Sequence, residues 1–106
     1  MTSALVVFCT CGTPEEALRI AHSLVEERFA ACVNILPQMR SVYRWQGLVE
    51  DAQETLLVIK TSSDRLPELR ERVSQLHSYE VPEILAVEVA DGAPAYLAWL
   101  LDQVGP

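Results

Sequence analysis

The apolar run Ala4-Leu5-Val6-Val7-Phe8-Cys9 has no helical polarity, which predicts a strand apolar on both faces and therefore central in a sheet. Thr13-Pro14-Glu15-Glu16 follows with the logic of a capping box: Thr13 caps, Pro14 takes the first helical position and Glu16 reaches back from the third. Ala17, Ile20, Ala21, Leu24 and Val25 then keep one apolar stripe at three-and-four spacing, so a first helix is expected to run to about Arg28. Ala30 to Gln46 turns strand-like, with Cys32-Val33-Asn34-Ile35, an interruption at Pro37 and an alternating Ser41-Val42-Tyr43-Arg44-Trp45. Gly47 marks a turn, and Leu48-Val49 onward to Leu56-Leu57-Val58-Ile59-Lys60-Thr61 returns as an equally long partner. Each arm approaches fifteen residues, against about 5–6 for an ordinary strand.

Ser62-Ser63-Asp64 offers an N-cap cluster ahead of a second helix striped by Leu66, Leu69, Val73 and Leu76. Pro82 pushes the residue before it toward extended geometry, and Ile84 to Ala90 reads as a fourth strand. Asp91-Gly92-Ala93-Pro94 starts a terminal helix striped by Tyr96, Leu97, Leu100 and Leu101.

The order β-α-β-β-α-β plus a helix is the split pattern of an α+β, ferredoxin-like sandwich, with both main helices on one face of an antiparallel sheet. Its strand order, four-one-three-two, sets the end of strand one beside the start of strand four, so Cys9 and Cys11 are expected to face the segment His77 to Pro82. The long hairpin between strands two and three must overshoot so small a sheet. An isolated ribbon bearing Val42, Tyr43, Trp45, Leu48 and Val49 would be marginal in water and would leave its edges open. Pairing with sister copies in a closed ring answers both problems. Val42, Tyr43 and Trp45 are accordingly expected in a subunit interface.

With 106 residues, half of them hydrophobic, the chain reads as one domain over 1–106. Fifteen acidic residues against eight basic ones give a net charge of -7, which repels phosphate backbones and anionic lipid and argues against nucleic-acid or membrane partners. Met1-Thr2-Ser3 carries no basic leader, and the apolar run after it is too short for a membrane span. A cytoplasmic location is the expectation. Three cysteines, Cys9, Cys11 and Cys32, form no disulfide-scaffold spacing and suit a reducing compartment.

Cys9 with His77 is the sharpest chemical pairing, because a soft thiolate and an imidazole suit copper or zinc. Cys11 lies on the same strand face and can add a third ligand, with Glu80 or Glu83 as oxygen donors. Against this stands the plainer reading of a small buried hydrophobe beside a helix-terminal histidine. Cys9-Thr10-Cys11 is one residue shorter than the C-x-x-C loop of ferredoxin-like copper chaperones, which argues against chaperone-type transfer. Cys32 reads as core, His22 as solvent edge, Trp99 as packing of the last helix, and Glu50, Asp51 and Glu54 as a solvated acidic cluster near the hairpin tip. Because the sequence contains no nucleophile elbow, phosphate loop, zinc-protease helix or dinucleotide fingerprint, no enzyme is expected.

Three stretches, Ala31-Cys32-Val33-Asn34-Ile35, Ser41-Val42-Tyr43-Arg44-Trp45-Gln46-Gly47 and His77-Ser78-Tyr79-Glu80-Val81-Pro82-Glu83-Ile84, together resemble the CutA divalent-cation tolerance family. Glu54, Lys60-Thr61 and Tyr96-Leu97-Ala98-Trp99-Leu100 also stand where that family's pattern has them. The resemblance implies a ferredoxin-like protomer, an intertwined homotrimer built through the long hairpins, and tolerance to divalent cations, copper especially. Cu2+ or another divalent cation is the implied ligand, with no organic cofactor. Ser78 replaces the family's usual Pro, and Leu76 stands where some members carry a second His, so a ligand set built on a His pair reduces here to His77. The alternative is a signalling or scaffold trimer related to PII-like proteins, holding a small molecule in inter-subunit clefts. An acylphosphatase on the same fold would need a phosphate-cradling loop that is missing.

Overall fold

The computed structural model describes residues 2–105. Seven elements follow one another: β1 (Ala4–Cys11), α1 (Pro14–Glu26), β2 (Cys32–Trp45), β3 (Leu48–Ser62), α2 (Leu66–Leu76), β4 (Leu85–Glu88) and α3 (Pro94–Gln103). The four strands form one sheet in the order β2-β3-β1-β4, every pairing antiparallel. Strand β1 is interior, as its unbroken apolar run implies. Its residues Ala4 to Cys11 pair with Ser62 to Thr55 of β3, and Leu5 to Phe8 pair with Glu88 to Leu85 of β4.

Alternation along β1 sends Leu5, Val7, Cys9 and Cys11 into the main core, where they meet Leu57 and Ile59 of β3, Ala17, Ile20 and Leu24 of α1, and Leu69 and Val73 of α2. A smaller core of Ala4, Ala31, Leu100 and Val104 seats α3 at the other end of β1. Leu100 is the buried residue of α3. Trp99, expected to pack that helix, is instead 44% exposed and lies against Tyr96 with ring centroids 5.6 Å apart.

Four boundaries depart from the sequence reading, each for a local reason. Helix α1 stops at Glu26 rather than Arg28, because Arg28 takes a left-handed φ of 63° and Phe29 N–H closes on the Leu24 carbonyl at 2.9 Å. The capping box is half formed: Thr13 Oγ1 accepts from Glu16 N–H at 3.2 Å, but the Glu16 carboxylate accepts from Ser78 N–H at 2.7 Å. Helix α2 has no side-chain cap, since Ser62 stays in the ladder opposite Ala4 and Ser63 N–H bonds the Ser3 carbonyl at 2.8 Å. Strand β4 covers four residues because β1, its one strand neighbour among the described residues, offers Leu5 to Phe8.

The hairpin is as long as expected, at 14 residues for β2 and 15 for β3. Gln46 and Gly47 turn it with φ of 51° and 82°, both positive as a two-residue primed turn requires. Before Thr55, the part of β3 next to the turn, Leu48 to Glu54, has β2 as its sole strand partner among the described residues. Between Leu36 and Met39 the register shifts by one residue, with Gln38 at φ 63°. Before this bulge Cys32, Asn34 and Leu36 oppose the even-numbered Lys60, Val58 and Leu56; after it Met39, Tyr43 and Trp45 oppose the even-numbered Glu54, Glu50 and Leu48. Directly opposed residues share a face, so the bulge exchanges which parity of β2 lies on the face away from α1 and α2. The acidic cluster foreseen at the tip is dispersed: Asp51 pairs with Arg40 at 2.7 Å, and Glu54 is buried.

Candidate metal centre

Cys9 and Cys11 are fully buried, at 0% exposure, because both fall on the helix-facing parity of β1. His77 is the C-cap of α2; its N–H closes the helix on the Val73 carbonyl at 2.8 Å, and the chain then crosses the end of β1 toward β4. That crossing delivers the imidazole, 8% exposed, to the two thiols. One ligand atom from each of Cys9, Cys11 and His77 lies within 4.8 Å of the others. The topology therefore brings together the three residues that the sequence singled out. Glu80 and Glu83 do not join this group; they line a cleft of about 680 Å3 with Thr10, Tyr43, Trp45 and Tyr79. Cys32 is half-buried on β2, and His22 sits at the surface 3.8 Å from Glu26.

The segment after α2 is tied to three elements. His77 Nε2 lies 2.7 Å from the Thr10 carbonyl of β1, and Nδ1 accepts from Tyr79 N–H at 3.0 Å. An acceptor role at Nδ1 places the neutral ring's proton on Nε2, which donates to Thr10. Glu16 of α1 holds Ser78 N–H. Tyr79 stacks at 4.7 Å on His77 and donates its hydroxyl to Glu54 Oε2 of β3 at 2.6 Å. Gly12 permits this approach, since a Cβ there would meet the Tyr79 hydroxyl at 3.2 Å. The Glu16, Glu54 and Tyr79 contacts were not legible from spacing, because they join residues 62 and 25 positions apart through an irregular segment.

The electrostatics follow from these contacts. A hydrogen bond with the Cys11 side chain and burial together push the Cys9 thiol well above the ordinary cysteine range. The same hydrogen bond moves Cys11 the other way, below its ordinary value, although burial opposes it. Burial works against the Glu16 carboxylate, but the Ser78 contacts and nearby His77 outweigh it and hold the carboxyl below its usual range. Burial and the Glu54 carboxylate keep the Tyr79 proton in place well above the tyrosine range.

Among the described residues, no buried side-chain nitrogen or oxygen lacks a partner, so the fit to a metal rests on the donor set itself. Two thiols and an imidazole form a soft, nitrogen-bearing set of the kind copper and zinc take. The Nε2–H bond to a backbone carbonyl is also the anchor that ligating histidines commonly have.

A family model described as CutA1 divalent ion tolerance protein matches residues 5–103. The chain belongs to that family. It is similar to the divalent-cation tolerance protein CutA of Thermus thermophilus, 52% identical over 100 residues that cover 94% of this chain and 97% of that protein. It is also similar to Protein CutA of Mus musculus, 45% identical over 98 residues, 92% of this chain and 55% of that one; the chain thus spans about half the length of that relative. The crystal structure of CutA from Xylella fastidiosa superposes with a TM-score of 0.96 at 40% identity, covering 98% of this chain and 100% of that chain. Among the described residues no helix is long and apolar enough to cross a membrane.

Proposed function

We propose that this CutA1-family chain is a ferredoxin-like, homotrimeric metal-response protein of the cytoplasm, which takes up a divalent cation, copper foremost, without catalysing a reaction. The convergence of Cys9, Cys11 and His77 within 4.8 Å carries this reading. The thiolates of Cys9 and Cys11 and a ring nitrogen of His77 would hold the ion. Thr10 and Tyr79 orient the ring, while Glu16 and Glu54 fix the segment that presents it. Three free cysteines suit a reducing compartment. Titrating copper into wild type and into a Cys9→Ala/His77→Ala double variant tests the site. Binding by wild type with loss in the variant is expected, and equal weak binding by both ends the assignment.

Assembly is supported by the ribbon that extends past the sheet. Val42, Tyr43 and Trp45 are 68%, 42% and 50% exposed on one chain, an aromatic surface of the kind that subunit contacts bury. One observation favours a second reading: the cleft of about 680 Å3, lined by Tyr43, Trp45, Tyr79 and Glu80, is large enough for a small molecule. In a PII-like signalling trimer it would hold one between subunits. A thermal-shift screen of nucleotides and metabolites separates the two, because only a compound bound by the native state raises the melting temperature.

A further inference from the structure

We propose that the Cys9-Cys11-His77 cluster selects a soft monovalent ion, copper as Cu(I), in three-coordinate geometry, over divalent cations that need a fourth ligand. The inference rests on the Cys9-Cys11-His77 site of the metal-binding reading above and changes the ion that site prefers from a divalent cation to Cu(I).

Coordination number decides the class. Zn2+ in a closed protein site takes four ligands in a tetrahedron, and Cu2+ favours nitrogen and oxygen in tetragonal arrangements. The cluster offers three donors, two of them sulfur. A fourth must come from water or a carboxylate, and no carboxylate is among the donors that converge within 4.8 Å. The cysteines are sealed from solvent and His77 nearly so. The two buried carboxylates nearby are engaged elsewhere, Glu16 with Ser78 N–H and Glu54 with the Tyr79 hydroxyl. Glu80 and Glu83 line the adjoining cleft and are not among the converging donors, although the Glu83 charge reaches Cys9.

The spacing also suits a low-coordinate ion. Metal–sulfur bonds of about 2.3 Å put two ligands at most about 4.6 Å apart across the ion, and the donors already lie within 4.8 Å of one another. Little rearrangement is needed beyond rotation of the imidazole, whose Nδ1 exchanges the Tyr79 N–H for the metal or whose Nε2 leaves the Thr10 carbonyl. Each thiol that ligates releases its proton to solvent, and copper keeps its oxidation state throughout. Burial of both sulfurs within a core strand separates this site from an exposed transfer loop and fits retention of the ion.

The test uses reduced full-chain protein. Cu(I) is titrated against a chromogenic Cu(I) chelator, Ag(I) serves as a redox-inert substitute, and Zn2+ and Co2+ are competitors. A single Cu(I) or Ag(I) per chain is expected, with X-ray absorption showing two sulfurs and one nitrogen and no displacement by a large excess of Zn2+. Cys11→Ala should weaken Cu(I) binding by about 100-fold or more. Wild-type absorption spectra need no variant, so they decide the coordination even if a core substitution fails to fold. Zn2+ or Co2+ held more tightly than Ag(I) at the same two sulfurs overturns the ion preference and leaves the site. Ag(I) binding unchanged by Cys9→Ala and Cys11→Ala overturns the site itself.

Discussion

Tyr79 joins the cluster to the cleft, with its ring on His77 and its hydroxyl on the buried Glu54 carboxylate. Tyr79→Phe would leave that carboxylate buried without its donor, at a cost of about 2 kcal/mol; a denaturation midpoint equal to wild type would contradict the contact. Glu16 supplies a pH signature. Its folded pKa lies below the usual 4.5, so the stability it contributes is present above that value and is lost as pH falls through the depressed folded pKa. Glu16→Gln should therefore flatten the acid limb of the stability curve as pH falls below 4.5, read as urea midpoints at successive pH values. An unchanged acid limb would reject the role. Cys9, Cys11 and His77 were legible in the sequence because strand parity and a right-handed crossover are enough to bring them together. Their anchors were not, since Glu16 reads as half of a capping box and Glu54 as a tip acid until the path of residues 77–84 is known.

At the scale of elements, apolar periodicity predicts every strand and helix, and the errors fall at ends where a neighbour intervenes. Ser62 illustrates this: as a local signal it is a cap, yet pairing with Ala4 outweighs one side-chain hydrogen bond. Arg28 and Gln38 occupy left-handed backbone at φ 63°, a conformation that costs a non-glycine residue about 1 kcal/mol. Their substitutions should differ. Gln38→Gly is expected to raise stability slightly, whereas Arg28→Gly forfeits bonds to the Asp102 and Gly105 carbonyls at 3.3 and 3.4 Å and should gain less. Paired thermal melts check the ordering, and a larger gain at Arg28 would refute it.

The whole molecule measures 44 × 25 × 22 Å, elongated as a protruding ribbon requires. If that ribbon is completed by sister chains, Tyr43→Ala with Trp45→Ala should cost about 2 kcal/mol or more of assembly free energy. Light scattering would then report a smaller mass and calorimetry a lower melting temperature; an unchanged mass and melt would remove the hairpin from the interface. The bulge at Pro37-Gln38 would set the sense of such an assembly. Its single surplus residue acts as a frameshift in space, choosing which side of the ribbon carries the aromatic rings. Were Gln38 drawn into regular pairing instead, Val42 and Arg44 would stand opposite Glu50 and Leu48, where Tyr43 and Trp45 now stand, so one position in the backbone governs what a neighbouring molecule would meet.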